Sequence, residues 1–318
     1  MPEVLLVKTS SMGDVLHNLP VVSDILQHHP GTKLDWVVEE AFAALPALHP
    51  GVREVIPVAI RRWRKSFAAA RPEMKAFRNH LSARHYDLVL DTQGLFKSAV
   101  IARFARAPHC GYDWSSAREP LASLFYERKF SVPKQLHAVE RNRRLAGLAL
   151  GYTPQGEPNY GIVAPPLTLP WLHTEPYVAL LHATSRDDKL WNEANWVALG
   201  HRLYAAGLRS ILPWGSDTER QRAERLAQAI PGAFCAPRLN LREAAALLGN
   251  ARAAIGVDTG LAHLAAALNV PTIGIYTATD PGLTGLYAGV NAHNLGSSGK
   301  PPSVEEVVAI LNHAGLHV

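Results

Sequence analysis

The chain has 318 residues, enough for two domains that each bury their own core. Its 47% apolar and 19% charged residues exclude a disordered chain, and no apolar run reaches the roughly 18 residues of a membrane-spanning helix. The first residues lack the pattern of a secretory signal peptide, so none is expected. Two distant cysteines, Cys110 and Cys235, exclude a disulfide scaffold and a cysteine-based zinc site, which is typical of a reducing cytosol.

The positive charge is confined to the first half of the chain. The net charge is +5, but residues 1–152 hold 21 Lys and Arg against 14 Asp and Glu, a net of +7. The remaining 166 residues hold 11 against 13, a net of −2. This asymmetry predicts an anionic partner for the first half.

Short apolar runs alternate with amphipathic segments along the first half. The predicted strands are 4–7, 34–38, 55–58 and 87–91. A first helix is predicted after Gly13, since apolar residues recur at helical spacing from Val15 to Leu26, and Pro30 and Gly31 end it. The alternation predicts an α/β domain with a parallel sheet.

A proline-rich connector separates the two halves. Residues 153–176 contain six prolines in 24 positions and show no periodicity. The alternation then restarts, with strands predicted at 177–182, 210–213, 253–257 and 271–276. Helices are predicted at 193–206, 217–229, 241–248, 260–268 and 303–313. We therefore predict two Rossmann-like α/β domains, 1–160 and 161–318, with parallel sheets facing a central cleft that holds the ligand.

The first candidate site is the segment from Lys8 to Asp14, which joins the first strand to the first helix. Its small residues let the backbone approach a ligand closely. It is neither a dinucleotide fingerprint nor a P-loop. Asp14 is suited both to capping the helix and to serving as a catalytic base, and its position alone favours neither role.

Two motifs in the second half are suited to phosphate. In the segment 257–263, a Thr-Gly turn leads from a strand into a helix whose free amides form an anion site, with His263 one turn inside. In the segment 182–189, Thr184, Ser185 and Lys189 offer donors for a diphosphate. Each motif alone is more often an ordinary capped turn or a solvated loop. Because both follow strands of one half, however, their donors would converge.

A basic segment runs from Arg61 to Arg84, with eight Lys and Arg against one acid, Glu73. A run of charges usually forms a solvated face, but this excess also fits an anionic partner. Trp63 within it is suited to stack on a base or sugar or to lie against a membrane interface. No metal-binding pattern is present, and the 15 histidines are scattered.

Taken together, these segments and others along the chain resemble those of a known family. The sequence resembles the heptosyltransferases, glycosyltransferases of the GT-B fold that use ADP-heptose, along nearly the whole chain. The segments that carry the resemblance are VLLVKTSSMGDVLHNLP, KLDWVVEE, VIPVAIRRWRK, DTQGLFKSA, AREPLASLFY, HAVERNR, LLHATSRDDKLW, LPWGSDTER, VDTGLAHLAAAL and YTATDPGLTG. SMGD-like and VDTGLAH-like segments identify the family. The combination of RRWRK, AREPLASLFY and ATSRDDK indicates the branch that adds the first heptose.

The resemblance implies inverting transfer of L-glycero-D-manno-heptose from ADP-heptose to the first Kdo sugar of Kdo2-lipid A, with no metal or other cofactor. Asp14 would be the general base, Lys189 would stabilise the leaving diphosphate, and Asp258 would bind heptose hydroxyls. The donor site by position comprises Thr184, Ser185, Lys189, Glu219, Leu239, Asp258, Thr259, Gly260, Leu261 and His263. Among these, Glu219 would engage the ribose and Leu239 would line the adenine pocket.

For the acceptor, we expect contacts from the basic first half, because Kdo carboxylates and lipid A phosphates are anionic. The predicted acceptor residues are Arg61, Arg62, Arg64, Lys65 and Arg118. They would also hold the enzyme peripherally on the cytoplasmic face of the inner membrane.

Three other functions compete with this interpretation. A later heptosyltransferase would share the donor site but take a heptosylated acceptor. A sugar-nucleotide epimerase of related architecture would consume donor with no acceptor present. A nucleic-acid-binding module rests on the arginine cluster alone and has no recognised binding motif in support, so no nucleic-acid partner is expected.

Overall fold

The computed structural model describes residues 1–172 and 174–318. The chain divides into two compact units, Met1–Gly161 and Ile162–Val318. Within the described residues, no helix combines the length and the apolar character needed to cross a bilayer.

The first unit is built on a six-stranded parallel sheet in the order β3-β2-β1-β4-β5-β6. Its strands are β1 (Glu3–Val7), β2 (Lys33–Glu39), β3 (Val52–Val58), β4 (Leu88–Asp91), β5 (His109–Tyr112) and β6 (Arg128–Phe130). Strands β1 and β4 read as continuous apolar runs because helices cover both faces of such a sheet.

The α-helices of the first unit follow strands β1, β3, β4 and β6 in the chain. They are α1 (Met12–Leu16), α2 (Leu19–His28), α3 (Ile60–Trp63), α4 (Phe67–Ser82), α5 (Phe96–Ala102) and α6 (Ala138–Leu150). Short 3₁₀ helices span Glu40–Phe42, Pro46–Leu48 and Pro120–Phe125. One core cluster packs the sheet against α4, with Phe77 and Leu81 buried on Val37 and Val89.

The second unit repeats the same strand order, β12-β11-β10-β7-β8-β9, again parallel throughout. Its strands are β7 (Tyr177–Leu181), β8 (Arg209–Leu212), β9 (Phe234–Cys235), β10 (Ala253–Val257), β11 (Thr272–Tyr276) and β12 (Ala292–Gly296). Its helices are α7 (Glu193–Ala205), α8 (Asp217–Ala229), α9 (Leu241–Gly249), α10 (Gly260–Ala267), α11 (Pro281–Thr284) and α12 (Val304–His313), with 3₁₀ helices at Asp187–Lys189 and Gly289–Asn291. Trp191 and Trp196, in edge-to-face contact at 5.1 Å, lie in its main core.

The predicted α/β class with parallel sheets is confirmed, and the eight predicted strands are all present, β10 with its predicted bounds and the other seven with shifted ends. Four strands were not predicted: β5, β6, β9 and β12. They are short or lie at the sheet edges, where polar residues interrupt the apolar pattern. Of the connector 153–176, only residue 173 lies outside the described residues, and the rest of it up to residue 176 forms no helix or strand.

The prediction of one continuous helix after Gly13 is wrong. The structure has two helices there, α1 and α2, separated at His17 and Asn18. Pro20 is the second residue of α2 and has no amide hydrogen to continue the ladder of α1. Apolar residues of both helices, among them Val15, Leu19 and Val22, are buried.

Candidate active site

Both units place a candidate site at the point where the strand order reverses. In the first unit this lies between β1 and β4, and in the second between β7 and β10. Ligands of such sheets bind at the carboxyl ends of the strands at this reversal. The predicted segment 8–14 follows β1, segment 182–189 follows β7, and segment 257–263 begins at the last residue of β10. The fold therefore brings the motifs of each unit to the carboxyl edge of its sheet.

In the first unit, Asp14 caps its own helix. Its Oδ2 accepts hydrogen bonds from the Ser11 amide at 2.8 Å and the Ser11 hydroxyl at 3.1 Å. The same oxygen lies 3.8 Å from a guanidinium nitrogen of Arg118, whose side chain is 67% exposed. Because all three contacts fall on Oδ2, the other oxygen, Oδ1, takes no part in the cap. The capping role is therefore present and leaves one carboxylate oxygen for chemistry.

Lys8, the first residue of this segment, is buried, and no role was predicted for it. The Lys8 ammonium donates to the Thr92 carbonyl at 2.8 Å and to Oδ1 of Asn142 at 3.3 Å. Burial lowers the pKa of Lys8 to about 8, against the opposing effect of the Asp14 and Asp91 carboxylates. Lys8 thus places a positive charge beneath the candidate base. The only sequence signal for it was a charged residue at the end of an apolar strand.

The residues at and just after the end of β4 contact the segment 8–14. The Gln93 side-chain carbonyl accepts from the amides of Thr9 and Ser10 at 2.9 and 3.1 Å. Asp91 is fully buried, and burial raises the pKa of its carboxyl although Tyr126 and Ser98 donate to it at 2.7 and 2.8 Å. The two Gln93 bonds hold the turn after β1 against the turn after β4.

The predicted acceptor residues at 61–65 lie on and just after α3, and all four cations are exposed. Arg62 is already paired, since its guanidinium bonds the carboxylates of Glu40 at 3.0 Å and Glu73 at 2.7 Å. Arg61 lies over the ring of Phe42 at 5.3 Å.

The interpretation of Trp63 as a stacking or membrane-facing ring is wrong. The indole is only 6% exposed and packs edge-to-face on Phe77 at 5.6 Å. It belongs to the core beneath α4 because helical spacing turns it inward while its basic neighbours face out.

In the second unit, Asp258 is the centre of the site. Its Oδ2 accepts from the Lys189 ammonium at 2.7 Å and from the Thr279 hydroxyl at 3.0 Å. Nε2 of His263 lies 3.9 Å from Oδ1, an electrostatic contact. Burial alone would raise the pKa of Asp258, but the His263 imidazole and the Lys189 ammonium outweigh it and hold that pKa well below its usual range. Thr279 was not predicted as a site residue.

Lys189 and the start of α10 face the same centre. An ammonium has three donors, so the bond to Asp258 leaves two for an anion. Thr259 is the N-cap of α10, and its side chain makes no capping bond. The amides of Gly260 and Leu261 belong to the first turn, which has no internal acceptor. The site therefore offers a cation and a helix N-terminus to one anionic ligand.

The hydroxyls of the segment 182–189 play different roles. The Thr184 hydroxyl donates to the backbone carbonyl of Asp258 at 2.9 Å and so joins the ends of β7 and β10. Ser185 is exposed next to it. Thr184 thus positions the loop, and Ser185 presents the accessible hydroxyl.

Glu219 and Leu239 follow the next two strands, β8 and β9. Glu219 Oε2 accepts from the amides of Gly215 at 2.6 Å and Ser216 at 3.1 Å and closes a capping box at the start of α8. Leu239 is half-buried against the cluster that contains Ala236 and Leu247. They provide a carboxylate and an apolar wall at the same edge of the sheet as Asp258.

The described residues contain no group of three His, Cys, Asp or Glu side chains arranged to hold a metal ion. The predicted independence from metal and cofactor remains a prediction.

Comparison with known proteins agrees with this architecture. The model of glycosyltransferase family 9 (heptosyltransferase) matches residues 74–312. The chain is 51% identical over 288 residues to lipopolysaccharide heptosyltransferase 1 of Salmonella typhimurium, covering 89% of this chain and 91% of that protein.

Two solved structures extend the comparison. The E. coli heptosyltransferase WaaC with ADP matches with a TM-score of 0.91 and 46% identity, over 98% of this chain and 99% of that one. The E. coli ADP-heptose lps heptosyltransferase II matches with a TM-score of 0.78 and 20% identity, over 98% of both chains. The second likeness shows the fold alone, and the first confirms the predicted GT-B architecture.

Proposed function

The chain belongs to glycosyltransferase family 9, the heptosyltransferases, and from this premise we propose that it transfers L-glycero-D-manno-heptose from ADP-heptose to the first Kdo of Kdo2-lipid A. Heptosyl transfer in the lipopolysaccharide inner core is the activity of this chain, and an epimerase or a nucleic-acid-binding module is set aside. The identity of 51% to heptosyltransferase 1, against 20% to a heptosyltransferase II, supports the first acceptor over a later one.

The observation that carries the donor assignment is the cluster around Asp258. Lys189 and the first turn of α10 offer charged and backbone donors to a diphosphate at one place. The Asp258 carboxylate, fully ionised and partly accessible, accepts hydrogen bonds from sugar hydroxyls. In this proposal Glu219 binds the ribose and Leu239 lines the adenine face. Together these residues offer donors for a diphosphate and acceptors for sugar hydroxyls, as a nucleotide sugar requires.

In the proposed reaction, Asp14 accepts the proton of the acceptor hydroxyl as its oxygen attacks the anomeric carbon of the heptose. The bond from that carbon to the diphosphate oxygen breaks, and ADP leaves with the electron pair. Inversion follows because attack and departure occur on opposite faces of the carbon. Lys189 and the amides at Gly260 and Leu261 stabilise the charge that grows on the diphosphate.

The acceptor is assigned from charge. Arg64 and Lys65 are exposed cations, and Arg118 lies beside Asp14. A Kdo carboxylate bound to these groups would present its hydroxyl near the base. Arg61 and Arg62 complete the basic set, although Arg62 must exchange its present carboxylate partners to take part. The lipid-anchored acceptor in turn implies peripheral binding to the cytoplasmic face of the inner membrane.

The decisive experiment is turnover with purified ADP-heptose and Kdo2-lipid A, comparing the wild type with Asp14→Asn. Asparagine retains an oxygen that accepts the Ser11 amide but cannot accept the substrate proton. We expect kcat to fall by about 100-fold or more, with donor affinity little changed.

Asp217→Asn is the matched control, because Asp217 is an exposed acid in the first turn of α8. It should leave kcat within about twofold. Near-normal turnover of Asp14→Asn would exclude the base role. Faster transfer to heptosyl-Kdo2-lipid A than to Kdo2-lipid A would reassign the acceptor to a later step.

A further inference from the structure

The first unit exposes an unusual set of apolar side chains near the candidate base. Phe96, Leu121 and Leu124 are 47%, 54% and 64% exposed, and Trp114 in the preceding turn is 54% exposed. Large apolar side chains scattered singly on a surface need no explanation, but a contiguous set indicates a binding surface. Phe96, Leu121 and Leu124 lie in segments that carry the family resemblance, but no role was predicted for them.

Two of the exposed residues, Leu121 and Leu124, share one side of the 3₁₀ helix Pro120–Phe125, and Phe96 adjoins this helix through Phe125. Residues three apart eclipse each other in such a helix, so Leu121 and Leu124 lie on the same side while Ala122 and Ser123 are buried. Phe125 packs edge-to-face on Phe96 at 5.3 Å. We call Phe96, Leu121, Leu124 and Phe125 the apolar face.

The apolar face is held rigidly. The Glu119 carboxylate accepts the Phe96 amide at 2.7 Å, and the Glu119 amide donates to the Gly94 carbonyl at 3.0 Å. At the other end of the 3₁₀ helix, the Tyr126 hydroxyl donates to the buried Asp91 at 2.7 Å. The leucines are therefore presented to solvent by a fixed backbone rather than by a loose loop.

The surroundings of the apolar face are positive. Arg118 precedes the 3₁₀ helix, and Arg128 and Lys129 follow it, all of them exposed. The acids nearby are engaged internally: Glu119 holds the Phe96 amide and Glu127 bonds the His109 amide. The three cations outnumber these two acids, and Glu127 is also paired with Arg103, so the surroundings keep a net positive charge for an external anion.

Exposed apolar side chains beside exposed cations favour an anionic bilayer as the binding partner of the apolar face. A symmetric pair of such faces would bring the same cations against each other, which disfavours a second copy of the chain. An anionic bilayer offers both an apolar interior for the side chains and phosphates for the cations. Arg118 also contacts Asp14, so the face lies at the end of the unit where the acceptor sugar is expected.

We propose that the apolar face inserts into the headgroup boundary of an anionic bilayer, with Arg128 and Lys129 on lipid phosphates. The proposal rests on the proposed function, because the lipid-anchored acceptor places the reaction at that surface. Docking there presents the Asp14 turn to a sugar that projects from the membrane. It also separates two tasks, since the cations at 61–65 remain for the acceptor itself.

The first test is cosedimentation with vesicles that contain phosphatidylglycerol and phosphatidylethanolamine. The double variant Leu121→Ser/Leu124→Ser should lower the partition coefficient by about 10-fold or more. Leu148→Ser/Leu283→Ser is the matched control, since these leucines are 48% and 49% exposed elsewhere. It should bind like the wild type. Equal binding of both double variants would overturn the proposal.

Charge provides an independent variant that leaves the leucines intact. Arg128→Glu/Lys129→Glu should weaken binding to the anionic vesicles by about 10-fold and abolish the dependence on the phosphatidylglycerol fraction. Binding that is unaffected by this reversal would contradict the role of these cations. A wild-type dimer in sedimentation that the leucine variant dissociates would reassign the apolar face to self-association.

Turnover separates docking from catalysis. The leucine double variant should transfer heptose to an acceptor stripped of its acyl chains at the wild-type rate, which also shows that it is folded. On acceptor embedded in vesicles it should be about 10-fold slower at limiting lipid. If the wild type uses neither acceptor, the proposed function fails. If the variant matches the wild type on both, only the docking proposal fails.

Discussion

At the scale of single residues, the pair Lys189–Asp258 decides the chemistry of the second unit. The ion pair is 2.7 Å long, and the two side chains are only 18% and 15% exposed. A partly buried carboxylate of this kind remains ionised because a cation and a hydroxyl face it. The pair thus provides both a cation for phosphate and an acceptor for hydroxyls within one contact.

We expect Lys189→Ala to weaken ADP binding by about 10- to 100-fold and to slow transfer, because a charge-assisted hydrogen bond to the diphosphate is lost. Calorimetric titration with ADP and initial rates with ADP-heptose measure the two effects. Arg186→Ala is the control, since Arg186 is a nearby exposed cation paired with Asp188. Unchanged ADP affinity together with unchanged kcat in Lys189→Ala would refute the assignment.

Lys8 predicts a pH dependence of stability. Its pKa is about 8 in the folded chain against an ordinary value of 10.5. Between these values the unfolded chain binds more protons than the folded one, so the contribution of Lys8 to stability rises as the pH increases. We expect the free energy of unfolding of the wild type, relative to Lys8→Met, to increase by up to about 3 kcal/mol from pH 8 to 10.5.

Chemical denaturation of both proteins across that interval checks the Lys8 prediction. A difference between wild type and Lys8→Met that stays flat with pH, or that falls, would mean that the ammonium keeps its proton in the folded chain.

At the scale of elements, a helix start can contain both a capping motif and a residue of the proposed donor site. The same capping box, a serine three residues before a glutamate, begins both α8 and α12. In α8 the glutamate is Glu219, proposed to bind the ribose. In α12 it is Glu306, whose Oε2 accepts the Ser303 amide at 2.7 Å. The two boxes therefore offer a comparison of capping with and without a binding role.

Ser216→Ala and Ser303→Ala should each lower the free energy of unfolding by about 1 kcal/mol, the usual cost of a lost N-cap. Only Ser216→Ala should also weaken ADP binding, by about threefold or more, because Glu219 loses part of its anchoring. Denaturant titration and ADP binding measure these effects. Equal ADP affinity in the two variants would remove Glu219 from the donor site.

The elements that were predicted are those with a strong local pattern. Helix α8 begins at a capping box and ends as predicted, and β10 has its predicted bounds. Helix α4 was not predicted within the basic segment, because its buried face consists of only Ala70, Phe77 and Leu81 and gives a weak apolar pattern. Strands β9 and β12 form by pairing with β8 and β11, and their own sequences have no periodicity that predicts a strand.

At the scale of the whole molecule, the two units share a strand order but differ in charge. The excess of positive charge lies in residues 1–152, and the rest of the chain is slightly negative. The second unit meets a diphosphate with local donors, so it needs no net positive charge. The exposed cations of the first unit include those at 61–65 and 118–129, as an extended anionic acceptor would require.

We expect ADP to protect backbone amides of the second unit selectively in hydrogen exchange. Protection should rise at 184–189, 215–219 and 257–263, the loops that carry the donor residues. Saturation at 100 times the dissociation constant stabilises the binding unit by about 2.7 kcal/mol. Exchange with and without ADP, followed by mass spectrometry, measures this. Protection centred on 8–14 instead would place the nucleotide in the first unit.

The class of fold, the family and the positions of the motifs were readable from the sequence. Apolar strands, turns and helix starts are local features, and each motif directly follows a strand. The three-dimensional fold decided which side chains meet. Lys8 reaches Asn142 across 134 positions, and Lys189 reaches Asp258 across 69. It also turned Trp63 into the core and Leu121 outward, because burial depends on what packs against an element from elsewhere in the chain.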